Sequence, residues 1–159
     1  MKILNIIKNI ILDTIIVLLI GIIIISNMNK NKPVSFFNYY LFTVLSGSME
    51  DTLKIGDNII VKRVDEYKVG DIVTFKHDNI YVTHRITKID GDMVTTKGDA
   101  NTVEDEPFNK NLIIGKFVFK SDLLNFLINN KIIVIIILIA LLALDYIIGS
   151  KKKVRESAT

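Results

Sequence analysis

Three short stretches hold the residues whose types and spacing could do chemistry. The first is Ser46-Gly47-Ser48-Met49. A glycine between two serines allows a tight turn that exposes one hydroxyl and frees nearby backbone N–H groups. The second is His84, inside Ile80-Tyr-Val-Thr-His-Arg-Ile-Thr-Lys-Ile89. In a strand it shares a face with Val82 and Ile86, so its imidazole sits between β-branched neighbours, partly withdrawn from water. The third is Lys97-Gly-Asp99-Ala-Asn101 with Glu104-Asp105 just after it. These are loop carboxylates, and a loop side chain can turn inward to orient a base. Singly, each stretch has an ordinary explanation: a Ser-Gly loop, a core histidine, a solvated acidic loop. Together they supply a nucleophile, a base and an orienting acid, as acyl transfer by serine requires, and they come in the order Ser, His, Asp within one small domain.

Composition narrows the alternatives. Among 159 residues there is no cysteine, which removes thiol nucleophiles, disulfide scaffolds and Cys-based metal centres. Two histidines are too few for a His-rich metal site, and His77 falls in the polar turn His77-Asp-Asn79. A net charge of +3 is too weak to argue for nucleic acid.

The elements that must position these residues follow from where the apolar residues lie. Half the chain is hydrophobic and mean hydropathy is +0.40. From Asn9 to Met28 the only charge is Asp13, and from Ile132 to Ser150 the only charge is Asp145. Each run is about twenty residues, enough to cross about 30 Å of hydrocarbon as a helix. The first run ends in Ile25-Ser-Asn-Met without a small-x-small cleavage site, which favours an uncleaved anchor over a signal peptide. Lys151, Lys152, Lys153 and Arg155 place the C-terminal tail in the cytoplasm. Lys2 and Lys8 place the N-terminus on the same side, with Lys30 and Lys32 pulling against that assignment. Asp13 and Asp145 near the cytoplasmic ends read as solvated, or paired with a neighbour such as Lys8 or Lys151, rather than as functional groups. The expected division is an N-terminal cytoplasmic end and transmembrane helix over 1–28, an extracytoplasmic domain over 29–122, a C-terminal transmembrane helix over 123–150 and a basic cytoplasmic tail over 151–159.

The middle reads as β. Phe42–Leu45, Asn58–Arg63, Asp71–Lys76, Ile80–Ile89, Met93–Thr96 and Leu112–Lys120 are short runs rich in Val, Ile, Thr and aromatics. Gly56-Asp57, Gly70-Asp71 and Asp90-Gly91 punctuate them, the last as a hairpin signal. The fold class is therefore mainly β: a small antiparallel sheet, folded over or barrel-like, flanked by two transmembrane helices. The run Phe36-Phe-Asn-Tyr-Tyr-Leu-Phe42 admits two readings, an aromatic rest on the bilayer or a core strand.

These motifs resemble the type I signal peptidases, in the branch of archaea, the endoplasmic reticulum and some Gram-positive bacteria that uses Ser–His where the common bacterial branch uses Ser–Lys. The matching residues are Ser46-Gly-Ser-Met-Glu50 with Thr52-Leu53 and Gly56-Asp57, then Gly70-Asp71-Ile-Val, then Thr83-His84-Arg85-Ile86, then Thr96-Lys-Gly-Asp99-Ala-Asn101 with Glu104-Asp105. They cover roughly Val44 to Gly115.

The resemblance implies Ser48 as nucleophile, His84 as general base and Asp105 as the acid completing the site. Asp99 matches another important acid, and Asp105 is the preferred partner for His84. Ser46 matches a position whose hydroxyl helps bind the oxyanion in related bacterial enzymes. The implied activity is a membrane-bound serine endopeptidase that removes signal peptides from exported proteins, with no cofactor. Its substrate would pair with a strand edge and place Ala-like residues in shallow pockets. Its implied partners are the signal peptides of preproteins, the lipid bilayer and the translocon. Two alternatives stay open: a peptidase dedicated to a few surface or matrix proteins, and a non-catalytic membrane-anchored module. One residue departs from the pattern. Asp51 stands where the family usually has proline after Met-Glu, which frees φ and adds a backbone donor and a charge beside the nucleophile turn.

Overall fold

The computed structural model describes residues 2–27 and 33–156. The 28/29 boundary, Lys30, Lys32 and the last residues of the basic tail lie outside the described residues. The chain forms two compact units, one from 28–125 and one from the two ends, 1–27 and 126–159.

The first unit is a single eight-stranded antiparallel sheet. Its strands are β1 (Val34–Phe36), β2 (Tyr39–Thr43), β3 (Asn58–Lys62), β4 (Ile72–His77), β5 (Ile80–Asp90), β6 (Met93–Lys97), β7 (Phe108–Asn109) and β8 (Ile113–Lys120). They lie in the order β1-β2-β3-β8-β4-β5-β6-β7. Alternation decides which faces are buried. Ile59 and Val61 of β3 join Phe42, Met49, Leu53 and Ile72 in one core cluster. Val73 and Phe75 of β4 join Ile86, Val94 and Ile113 in a second. Ile72 and its neighbour Val73 therefore face different clusters, as period-2 geometry demands of a strand covered on both sides. Register shifts at Ile60/Val61, Thr74/Phe75 and Ile86/Lys88 bend the sheet. It folds far enough that Phe42 of β2 and Tyr81 of β5 touch, with ring centroids 5.2 Å apart, although three strands separate them in the sheet.

Two turns of the same build set the ladder. In Lys54-Ile-Gly-Asp57 and Lys68-Val-Gly-Asp71 the glycine has φ +90° and +93°, which only glycine adopts freely. The aspartate carboxylate that follows accepts the lysine N–H, at 2.9 and 3.0 Å. Two lysines of β8 secure both: Lys120 reaches Asp57 at 2.7 Å and Lys116 reaches Asp71 at 2.6 Å. Burial alone would raise the Asp57 pKa, but the Lys120 ammonium and the Lys54 N–H outweigh it and the carboxyl lies below its ordinary value. The sequence reading placed the first strand at Phe42–Leu45. The ladder instead runs from Tyr39 to Thr43, and residues 44–46 leave it, Val44 still bonded to the 56–57 turn. The short strands β1 and β7 have no sequence signal because two or three residues cannot display an alternation.

In the second unit, α1 (Lys2–Asn27) and α3 (Lys131–Glu156) pack on each other, and Lys131 donates to the Asn27 side-chain carbonyl at 3.2 Å. Both are long and apolar enough to cross a membrane, over Ile6–Asn27 and Lys131–Ile148. Most of their Ile, Leu and Val side chains are exposed, a surface that suits lipid and not water. Hydroxyls within α1 bond back into the helix, Thr14 to the Ile10 carbonyl and Ser26 to that of Ile23. Lys8 and Asp145 line one apolar cleft of about 250 Å³ between these helices. The segment read as one helix over 123–150 is divided. A short helix α2 (Asp122–Asn129), started by the Ser121 hydroxyl accepting the Leu124 N–H, ends before Asn130, and α3 starts after it.

Candidate active site

Ser48 lies in a single 3-10 turn, Gly47–Met49, entered from extended Ser46. Two buried side chains anchor the turn: Met49 and Leu53 have almost no exposure, and burying a side chain of that size is worth about 1.5–3 kcal/mol. The Met49 carbonyl accepts both the Thr52 and Leu53 N–H groups, at 3.0 and 2.7 Å. The Val44 N–H bonds to the Asp57 carbonyl and the Gly56 N–H to the Val44 carbonyl, closing the loop at its base. The tight turn expected at Gly47 is this 3-10 turn, and the left-handed residue beside it is Asp51, at φ +77°. Proline is confined to φ near −65°, so the turn made here is one that a proline at 51 could not make.

His84 is carried by β5 opposite Val73 of β4 and is buried, with 6% of its surface exposed. Val82 and Ile86 on its face belong to the second core cluster, and the Phe75 ring meets the imidazole edge-on at 6.3 Å. Its Nε2 is 3.0 Å from the Ser48 Oγ and its Nδ1 is 2.6 Å from Asp105 Oδ2. A carboxylate at Nδ1 holds the proton there and leaves Nε2 free to accept from the serine hydroxyl.

Asp105 is itself held in place. The Thr96 hydroxyl donates to the same Oδ2 at 2.6 Å, and the Asp105 N–H bonds to the Thr96 carbonyl at 2.8 Å. Thr96 is fully buried on β6. Its role has no sequence signal beyond its place in the Thr96–Asn101 motif, because a threonine in a strand is ordinary.

Asp99 is placed differently. Its carboxylate takes a two-pronged pair of bonds from Arg85, Nε–H to Oδ1 at 2.9 Å and a terminal N–H to Oδ2 at 2.7 Å, plus the Thr52 hydroxyl at 2.5 Å. The remaining Arg85 arm donates to the Gly70 carbonyl. Arg85, with burial opposing it, holds the Asp99 carboxyl below its ordinary pKa. Of the two acids singled out in the sequence, Asp105 therefore meets the imidazole, and Asp99 ties the 97–101 loop to the residues following His84 and Ser48. The same loop touches the Ser48 turn through its backbone: the Ala100 N–H donates to the Ser48 carbonyl at 3.0 Å, and the Asp99 N–H points at the Met49 sulfur. Gly98 makes this approach possible, since a Cβ there would lie 2.5 Å from the Ser48 carbonyl oxygen.

The Ser46 hydroxyl lies 3.3 Å from Ser48 Oγ. Beside the two serines runs a groove of about 410 Å³, between residues 43–46 on one side and Ile80–His84 on the other. A smaller recess of about 200 Å³ adjoins it at Phe42, Tyr81 and Asn79. Residues 80–84 pair with β4 on one side only, since β6 joins β5 from Arg85 onward. Among the described residues their other edge has no strand partner, and it lines the groove. Among the described residues no group of His, Asp and Glu is arranged to hold a metal ion.

Comparison with known proteins bears on the family. A family model described as signal peptidase, peptidase S26, matches residues 5–117. Signal peptidase I W of Bacillus subtilis (strain 168) is 39% identical over 113 residues, which cover 66% of this chain and 59% of that protein. The chain thus matches somewhat less than two thirds of that relative's length.

Proposed function

This chain belongs to the signal peptidase family, peptidase S26, and we propose that it is a membrane-bound serine endopeptidase that removes signal peptides from exported proteins. The observation that carries this reading is the hydrogen-bonded line from Ser48 through His84 to Asp105, beside an open groove. In the proposed reaction His84 Nε2 takes the Ser48 proton as Oγ attacks the scissile carbonyl. Asp105, oriented by Thr96, stabilises the imidazolium that forms. The imidazolium then returns the proton to the leaving amine, and water hydrolyses the acyl-enzyme. The Ser48 backbone N–H and the Ser46 hydroxyl would meet the oxyanion, each such donor being worth about 10²–10³ in rate.

An extended substrate would add to the unpaired edge at residues 80–84, with backbone bonds supplying affinity and the groove receiving the side chains near the scissile bond. Asp99 and Arg85 are positioning residues in this scheme, holding the 97–101 loop against the nucleophile turn. The two apolar helices are consistent with a membrane protein, and the proposed topology has both termini in the cytoplasm and the β domain outside. The translocon remains a proposed partner.

The test is processing of a secreted preprotein by the full chain in detergent or vesicles. Ser48→Ala and His84→Ala are expected to abolish cleavage. His84→Lys is expected to be inactive as well, because the site is built around a flat ring lying between Asp105 and Ser48. Processing by Ser48→Ala at the unmodified rate would overturn the proposal.

A further inference from the structure

The turn that carries Ser48 belongs to the connection between β2 and β3, residues 44–57. A residue from well outside that connection holds its neck. Asn125, near the start of α2, lies 67 residues beyond Asn58 in the chain. Its side-chain carbonyl accepts the Asn58 N–H at 2.6 Å, and its Nδ2 donates to Asp57 Oδ1 at 3.1 Å. Both bonds demand the same orientation of the amide, since a backbone N–H can only donate and a carboxylate only accept. The other Asp57 oxygen, Oδ2, takes Lys120 at 2.7 Å.

Asn58 carries the clasp across the neck. The Thr43 hydroxyl, at the end of β2, donates to the Asn58 side-chain carbonyl at 2.9 Å. The residue before the connection is thus tied to the residue after it. Asn58 is 2% exposed, and its Nδ2 is buried with no hydrogen-bond partner among the described residues. A buried donor left unpaired is destabilising, and an apolar residue opening β3 would avoid it. The residue that bears this cost is the one through which Thr43 and Asn125 are joined.

The twin turn is the comparison. Lys68-Val-Gly-Asp71 repeats Lys54-Ile-Gly-Asp57 in its backbone and in its β8 lysine. Among the described residues, however, the bonds to the Asp71 carboxylate come from Lys68 and Lys116 alone. Only the turn that closes the nucleophile connection carries a third partner. From there the path to the site is short. Asp57 and Gly56 bond to Val44 through the backbone, and Thr43 and Val44 line the groove with Ser46 and Ser48.

We infer that Asn125 is a positioning residue for Ser48: its amide, bridging Asp57 and Asn58, fixes the pose of the nucleophile connection and makes the start of α2 part of the active-site framework. This rests on the peptidase reading above, and it gives the segment after β8 a part in the chemistry.

The test exchanges donor and acceptor. Asn125→Asp sets a second carboxylate against Asp57, and Asp57→Asn can turn an N–H toward that of Asn125. Each breaks the bond with almost no change in volume. Made together they restore it in reverse, position 57 donating and position 125 accepting, with the Asn58 N–H still satisfied. Cleavage of a preprotein by the full chain in detergent would be followed over a range of substrate concentrations. Rates would be taken well below the lowest midpoint found in thermal melts of the same variants. We expect each single variant to lose about tenfold in kcat with little change in KM, for a nucleophile displaced by a fraction of an ångström. The pair should regain most of that loss. Asn125→Ala, which removes both bonds without adding charge, should lose as much as Asn125→Asp. If Asn125→Asp and Asn125→Ala melt lower but keep full kcat, the amide is structural only and the inference falls. A pair no faster than Asn125→Asp alone would also overturn it. Ser48→Ala runs alongside: cleavage by it at the unmodified rate removes the peptidase reading, whereas an inactive Ser48→Ala beside a fully active Asn125→Asp removes the clasp alone.

Discussion

Replacing Gly98 with alanine should cripple the proposed site without altering the side chain of Ser48, His84 or Asp105. An ideal Cβ at 98 would stand 2.5 Å from the Ser48 carbonyl oxygen and 2.8 Å from the Asn101 side-chain nitrogen. Ordinary contact between such atoms is about 3.5 Å, so the clash with Ser48 is about 1 Å deep. The Asn101 side chain can swing away. The Ser48 carbonyl cannot, because the Ala100 N–H binds it and Met49 fixes the turn in the core. The loop and the nucleophile turn must therefore separate, carrying Ser48 Oγ off its 3.0 Å contact with His84. A displacement near 1 Å costs about 10²-fold in rate, and overpacking costs about 1–3 kcal/mol of stability. The assay is single-turnover cleavage of a preprotein in detergent, alongside a thermal melt. Gly47→Ala is the internal comparison, since a Cβ there presses only on the flexible Glu50 side chain, at 3.2 Å, and should lose far less activity. A folded Gly98→Ala that cleaves at the unmodified rate would refute the reasoning, as would a greater loss from Gly47→Ala than from Gly98→Ala.

Other outcomes follow from the same geometry. Thr96→Val keeps the buried volume but removes the hydroxyl that Asp105 accepts from. Loss of a hydrogen bond to a charged group, about 1.5–3 kcal/mol, should lower kcat by about tenfold or more with little change in KM, measured by preprotein cleavage. Arg85 holds the Asp99 carboxyl below its ordinary pKa, so this pair stabilises the fold above the unfolded carboxylate pKa of about 4. That contribution is lost as pH falls through the lower folded value. Melts of the full chain should drop on acidification in that range, and Asp99→Asn should melt lower at neutral pH with a flatter acid limb. Asp51→Gly relieves a left-handed backbone at φ +77°, worth about 1 kcal/mol, and should raise the thermal midpoint by a few degrees without changing the cleavage rate.

The sequence by itself determined which residues are apolar enough for membrane-length helices, where the strands alternate, and which nucleophiles exist at all in a chain without cysteine. Those are local properties: a run of about twenty apolar residues and a period of two are visible in any window that contains them. It also set His84 on the face of Val82 and Ile86, because β5 is long enough for its alternation to be unambiguous. The division of the aromatic run, Phe42 in the core and Phe36 and Phe37 exposed, was beyond it, since these residues differ in depth only once β2 has paired with β3 and curled toward Tyr81. The division of labour between Asp99 and Asp105 was equally hidden. Both lie in one short loop, and which of them reaches the imidazole depends on Arg85 and Thr52 capturing one and Thr96 orienting the other. Thr52 stands 47 residues from Asp99 in the chain, and Arg85 and Thr96 come from two neighbouring strands, so only the folded sheet brings these groups within hydrogen-bonding distance.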